Sequence, residues 1–308
     1  MLNNKALKLL PILVLLIFAS CKTKKNIASS ETTALENALL WEMKVDGTDN
    51  ISYVYGTIHM INKSDYFLPN GTLTAIENSD KMIFEIDIAD MNDMSALMGI
   101  MGKIFMKDGV TLQELISEED YKVVTDHFAD MGLPMMMLNK IKPMFLSAFA
   151  YADLDPNSMN TGDIKSYEME FYDMAESKNM PTGGLETIDF QISVFDSIPY
   201  KDQAQLLVET IKSSDTSNDE FKIMTDMYKR QDINSMVSMI SEEESGYADY
   251  EDILLVKRNI AWIPQMINEA NNQPTFFAVG AGHLGGKNGV INLLRKEGVS
   301  IKPILQSN

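Results

Sequence analysis

The sequence is short of the residues that usually carry chemistry. Its 308 residues contain one cysteine and three histidines. One cysteine forbids an internal disulfide, and Cys21, expected to be taken up by membrane anchoring, is not available as a nucleophile. Basic residues are also few. Twenty-six Lys and Arg face 44 Asp and Glu, a formal charge of −18, and without a basic footprint nucleic acid is excluded as a partner. No H-E-x-x-H and no G-x-S-x-G occurs, so those zinc-peptidase and serine-hydrolase signatures are absent.

What is present begins with the leader. Lys5 and Lys8 precede an apolar run from Leu9 to Phe18, and Ala19-Ser20 lead into Cys21. The run is too short for a comfortable transmembrane helix. It resembles a bacterial lipoprotein signal, so residues 1–20 are expected to be removed and Cys21 lipidated. Residues 21–38, polar and without apolar periodicity, read as a flexible tether. The chain is then exported and lipid-anchored to the bacterial cell envelope, with the membrane as one partner. Residues 39–308 are 45% hydrophobic with the rest of the chain, enough for one domain. The 23 methionines read as adaptable core filler.

Two stretches share one frame. Ile51 to Tyr55 runs into Gly56-Thr57-Ile58-His59, and Thr275 to Val279 runs into Gly280-Ala281-Gly282-His283. Each is a strand followed by Gly-x-x-His, then a helix and another strand: Asn70–Asn78 and Lys81–Asp87 for the first, Asn288–Lys296 and Val299–Ile304 for the second. Trp41, Met43 and Val45 alternate as a strand that forms a hairpin with Ile51–Tyr55. Between the ends, helices are expected over Met94–Phe105, from Ser117 to about Met131, over Pro143–Ala152, Tyr167–Lys178 and Lys201–Ser213, from a cap at Ser217, and up to Ala270 with Pro264 as a kink. Pro181–Thr187 reads as a loop. The fold class is α/β with α+β character: a central mixed sheet built from the two end units, with a mostly helical middle over about 90–270. Both histidines should then reach the same sheet edge.

The glycine loop matches G-x-G-x-x-G but lacks an acid about 20 residues on, so it is not a dinucleotide cradle. Two imidazoles plus a carboxylate suit a catalytic divalent-metal site with an open position for water. Gly56, Gly280 and Gly282 are expected to let the backbone turn there. Glu85 breaks an apolar strand and needs a partner or a metal unless it faces water at an edge. Glu186 follows two glycines and either joins the site or is solvated. Arg258 shares a helix face with Leu254 and Trp262, and either binds a substrate carboxylate, steadies an oxyanion or forms a structural ion pair. His127 reads as an ordinary helix residue.

Leu40-Trp41-Glu42, Tyr55-Gly56-Thr57-Ile58-His59, Leu68-Pro69, Ser79-Asp80, Phe84-Glu85-Ile86-Asp87, Gly184-Leu185-Glu186-Thr187 with Gln191, Arg258-Asn259 and Val279 to Gly285 resemble the motifs of the TraB/PrgY/GumN family. That family is related to the Tiki proteins, described as membrane-tethered metal-dependent proteases. The resemblance implies a fold related to erythromycin-esterase-like and ChaN-like domains. It also implies a metal site of His59, Glu85 and His283 holding Zn, Mn or Co. Glu186 and Arg258 fall on family motif positions and are the catalytic candidates. Ser166-Tyr167-Glu168 departs from the family's Gly-Val-Asp/Glu pattern, so Glu168 receives no role. The expected function is a metal-dependent hydrolase acting on peptides. The alternatives are a non-catalytic peptide or ligand binder on the same fold and a small-molecule esterase.

Overall fold

Six strands form the main sheet of the computed structural model: β1 Leu40–Lys44, β2 Ser52–Thr57, β4 Lys81–Ile86, β6 Thr182–Glu186, β7 Thr275–Gly280 and β8 Ser300–Pro303. Their order is β6-β4-β7-β2-β1-β8. The structure describes residues 34–92, 99, 102–151, 163–212, 214–241 and 247–305, all within one compact unit spanning 34–308. The leader with Cys21, and Met94, Leu97, Met98 and Met101 of the expected helix, lie outside the described residues.

The sheet is mixed, as expected from the two end units. β6, β4, β7 and β2 run parallel, while β2–β1 and β1–β8 are antiparallel. β2 and β7 pair directly, with Thr57 opposite Gly280, so the two Gly-x-x-His turns emerge side by side. The first five residues of β7 are buried, as is the whole of β2, because helices cover both faces of a parallel sheet. Trp41, Tyr55, Phe84, Phe276 and Phe277 form the centre of that core.

Helices fill the middle: α1 Thr72–Glu77, α2 Glu118–Asp130, α3 Pro143–Tyr151, α4 Tyr167–Ser177, α5 Ile188–Asp196, α6 Tyr200–Lys212, α7 Ser214–Lys229, α8 Ile233–Ser241, α9 Lys257–Asn272 and α10 Val290–Lys296. Ser117 caps α2 by accepting the Asp120 N–H at 3.1 Å. Among the described residues no helix is long and apolar enough to cross a membrane.

Three expectations need correction. Ile104 and Phe105, expected in a helix, are not helical, and Phe105 instead forms a bridge with Ile141. Residues 182–186 form a strand, not a loop. Gly183-Gly184 looks like a turn by composition, yet a Cβ on Gly184 would lie 2.6 Å from the Asp87 N atom. The glycine is there because β6 and the end of β4 approach too closely for a side chain. Ser217 does not cap a helix; α7 begins at Ser214 and runs through it.

A small ribbon completes the architecture. β3 Ile61–Asn62 pairs antiparallel with β5 Ile164–Lys165. It ties the segment just after His59 to the segment just before Glu168, which are distant in sequence.

Candidate functional site

The four parallel strands end at one edge, where ligands bind in open α/β sheets. β2 leads to His59, β4 carries Glu85 near its end, β6 ends on Glu186 and β7 leads to His283. Arg258 enters from the second residue of α9, directly after a π-helical turn at Asp252–Val256. The structure therefore brings together all five charged or imidazole residues singled out from the sequence.

Glu85 sits in an interior strand between β6 and β7, which removes the solvated-edge alternative. One carboxylate oxygen accepts the Gly280 N–H at 2.8 Å. The other accepts Arg258 Nη2 at 2.6 Å and Gln191 Nε2 at 3.0 Å. Burial alone would raise its carboxyl, but His283, Arg258, His59 and the Gly280 N–H outweigh that and hold it at about 2. Glu186 receives Arg258 Nε at 3.0 and 3.1 Å and Nη2 at 2.9 Å. Its side chain is only 4% exposed. Glu186 is thus committed to a forked pair with the guanidinium. Arg258 also donates to the Leu254 carbonyl one turn back and lies over the Trp262 ring at 5.0 Å, the contacts expected from spacing on one helix face.

The histidines are held by their Nδ1 atoms. Asn259 Nδ2 donates to the Asn288 carbonyl at 2.9 Å, which turns Asn259 Oδ1 towards His283 Nδ1 at 2.6 Å. Nδ1–H donates there, so Nε2 keeps its lone pair and accepts from Arg258 Nη1 at 3.2 Å. Burial pushes the His283 imidazole down to about 3, so it is neutral, and Arg258 is the standing cation beside Glu85. His59 Nδ1 lies 3.1 Å from Glu168 Oε1, which also accepts the Thr57 hydroxyl at 2.7 Å. Glu168 raises the His59 imidazole to about 9, although the side chain is 72% exposed and water screens part of that pull.

Gly280 occupies the centre. A Cβ there would lie 3.1 Å from Glu85 Oε1, 3.5 Å from His283 Cδ2 and 4.0 Å from His59 Nε2. Its backbone, φ −55° and ψ 136°, suits any residue, so space rather than conformational freedom calls for glycine. Gly56 is needed for the same reason: a Cβ would press Leu284 Cδ1 at 2.6 Å. Gly282 lies in the 3₁₀ turn that carries His283.

The donor set, two imidazoles and a carboxylate, is of the type that holds a divalent ion. Metal-bound imidazoles hold their distal N–H on an acceptor, and both rings here do so. Glu85 Oε1 and His283 Nε2 are 3.7 Å apart, close to the roughly 3.4 Å between two ligands of one tetrahedral zinc. Among the described residues no three such donors are drawn in tightly enough to enclose an ion as they stand, and Arg258 Nη1 faces the lone pair that His283 would offer.

Sequence reasoning missed Glu168. Its Ser166 accepts the Met169 N–H at 3.4 Å, so Ser-Tyr-Glu reads as an ordinary helix start with acids in the first turn. Only the β3–β5 pairing reveals that it faces His59. Asn259 and Gln191 carried motif resemblance but no role until their partners were in place. His127 lies in α2, with its ring 5.3 Å from that of Phe128, away from the edge.

A cleft of about 690 Å³ opens over this edge, lined by His59, Glu85, Glu168, Gln191 and Arg258 and otherwise mainly by apolar side chains.

The chain is 23% identical over 316 residues to Metalloprotease TIKI1 of Danio rerio, covering 86% of this chain and 63% of that protein. It is 23% identical to Metalloprotease TIKI1 of Xenopus tropicalis, covering 94% and 66%, and 24% identical to the Homo sapiens protein of that name, covering 86% and 62%. The chain thus spans a little under two thirds of the length of the curated relatives it matches. No solved structure matches it. The TraB/PrgY/gumN family model matches residues 39–303, nearly all of the domain and every motif described above. The chain belongs to the TraB/PrgY/gumN family.

Proposed function

We propose that this protein is a metal-dependent hydrolase that cleaves peptide bonds, held at the cell envelope by a lipid on Cys21. The observation that carries the reading is the convergence of His59 Nε2, Glu85 Oε1 and the His283 ring around Gly280, with each imidazole fixed through Nδ1. The likeness to proteins named metalloproteases supports the reaction class.

His59, Glu85 and His283 would hold the ion. When bound, it would supply Lewis acidity and a water ionising near neutral pH. Asn259 and Glu168 orient the two rings through Nδ1, so that His59, on giving up its Nε2 proton, and His283, on releasing the Arg258 N–H, would each offer Nε2 to the ion. Glu85 stays ionised as the anionic ligand, with Gln191, Arg258 and the Gly280 N–H keeping its oxygens in place. Arg258 lies next to Glu85 and would steady negative charge on a substrate oxygen once metal binding to His283 frees the N–H that now rests on Nε2. Glu186 holds Arg258 in position rather than acting as a base, since both its oxygens already accept from the guanidinium.

The test is turnover of peptide substrates by the purified full chain. Chelation should abolish cleavage and added Zn, Mn or Co should restore it. Glu168→Gln should lower it about 10–100-fold, the usual effect of removing a ligand's orienting partner. Failure of every metal to support cleavage would falsify the peptidase reading. For the anchor, Cys21→Ser should move the protein from the membrane to the soluble fraction; continued membrane retention would refute lipidation at that residue.

A further inference from the structure

The cleft has two properties that the site chemistry does not use. The first concerns charge. Each charged or imidazole group lining it is already paired within the protein: His59 with Glu168, Glu85 with Arg258, and Lys165 with Glu170 at 2.7 Å. The remaining wall is largely apolar, including Ile86, Ile88, Ile164, Val194, Phe195 and Leu254. Such a surface rewards burial of an apolar side chain and offers no uncompensated charge to an acidic or basic one.

The second concerns the ribbon. Lys63 N donates to the Asp163 carbonyl at 2.8 Å, in line with the Ile61–Lys165 and Asn62–Ile164 register. In an antiparallel pair, hydrogen-bonded and non-hydrogen-bonded positions alternate. Lys63–Asp163 is a hydrogen-bonded position, so Ile61–Lys165 is another and Asn62–Ile164 is not. Ile164 therefore turns its N–H and C=O away from β3. Ile164, Lys165 and Ser166 line the cleft, whereas Ile61 and Asn62 do not. Among the described residues nothing pairs with the outer edge of β5, and this segment lines the cleft together with Glu85.

We infer that the cleft binds an extended peptide segment, which adds to the Ile164 edge through its main chain and seats a neutral, large apolar side chain against the Ile86, Ile88 and Val194 wall. This rests on the peptidase reading and names the substrate class for that site. Main-chain pairing to an edge supplies affinity without sequence demands, and the pocket supplies selectivity.

The experiment measures binding, with turnover stopped by a chelator, on the full chain. Fluorescein-labelled Ala-Ala-X-Ala-Ala-Ala peptides with X as Leu, Glu or Lys are titrated by anisotropy. The Leu peptide should bind at least about tenfold more tightly than the other two, as expected for burying one large apolar side chain. N-methylation of the peptide backbone should weaken it by a similar factor, about tenfold for a lost edge hydrogen bond. Ile164→Pro removes an N–H that faces away from β3, so the ribbon survives. It should weaken binding where Ile164→Val does not. Equal affinity for the three peptides, or indifference to N-methylation and to Ile164→Pro, overturns the inference. A Leu peptide that binds selectively but is never cleaved with Zn, Mn or Co restored leaves this inference standing and removes the peptidase reading. Cleavage without discrimination does the reverse.

Discussion

Replacing Arg258 with alanine should destabilise the protein by about 3–5 kcal/mol, the usual result of breaking a buried ion pair from one side. The guanidinium side chain is 11% exposed and serves two carboxylates that are 12% and 4% exposed. Without it, Glu85 and Glu186 face each other's charge in a poorly hydrated edge, and His283 loses the donor on Nε2. Turnover should fall about 10²–10³-fold, the scale of losing one preorganised charge-stabilising group. Arg258→Lys keeps the charge but cannot reproduce the fork on Glu186, so it should recover part of the stability and little of the activity. Arg258→Met combined with Glu186→Gln should be more stable than Arg258→Met alone. Chemical denaturation of the four variants, read beside peptide turnover, checks this. Equal stability of the single and double variants would show that the triad is not coupled.

Gly280→Ala should have the opposite profile. Alanine is comfortable at φ −55° and ψ 136°, so unfolding midpoints should hardly move. Its methyl group, however, would lie 3.1 Å from Glu85 Oε1 and point between Glu85, His283 and His59. Glu85 must shift or lose the Gly280 N–H. Since a displacement of about 1 Å in a reacting constellation is worth roughly a hundredfold, turnover should fall at least that far with stability retained. An active Gly280→Ala variant would mean that the reacting atoms do not meet at this point.

The two profiles reflect what a sequence can and cannot disclose. The ends of the chain were readable because β2 and β7 are apolar runs stopped by glycine and followed by a scarce residue. The parallel register that sets Thr57 opposite Gly280 then follows from putting the two units in one sheet. Glu85 was suspect because an acid interrupts a buried run. Its partner lies 173 positions away on a helix, and no local pattern links them. β6 was hidden because its glycines serve close packing and resemble those of a turn. Glu168 was hidden behind a helix-capping pattern that is also real: Ser166 donates to Glu168 Oε2 at 3.0 Å while Oε1 meets His59. The middle of the chain showed where helices lie. It did not show that α5 and α9 deliver Gln191 and Arg258 to Glu85, because that depends on tertiary packing rather than on periodicity.

In the proposed mechanism His59, Glu85 and His283 hold one metal ion together. Metal content of the purified full chain, loaded with zinc and dialysed, tests it most directly. The wild-type chain should retain about one equivalent, and His59→Ala and His283→Ala should each lose it, since three protein ligands are the usual complement of a catalytic zinc. Retention of the same equivalent by both variants would contradict the site.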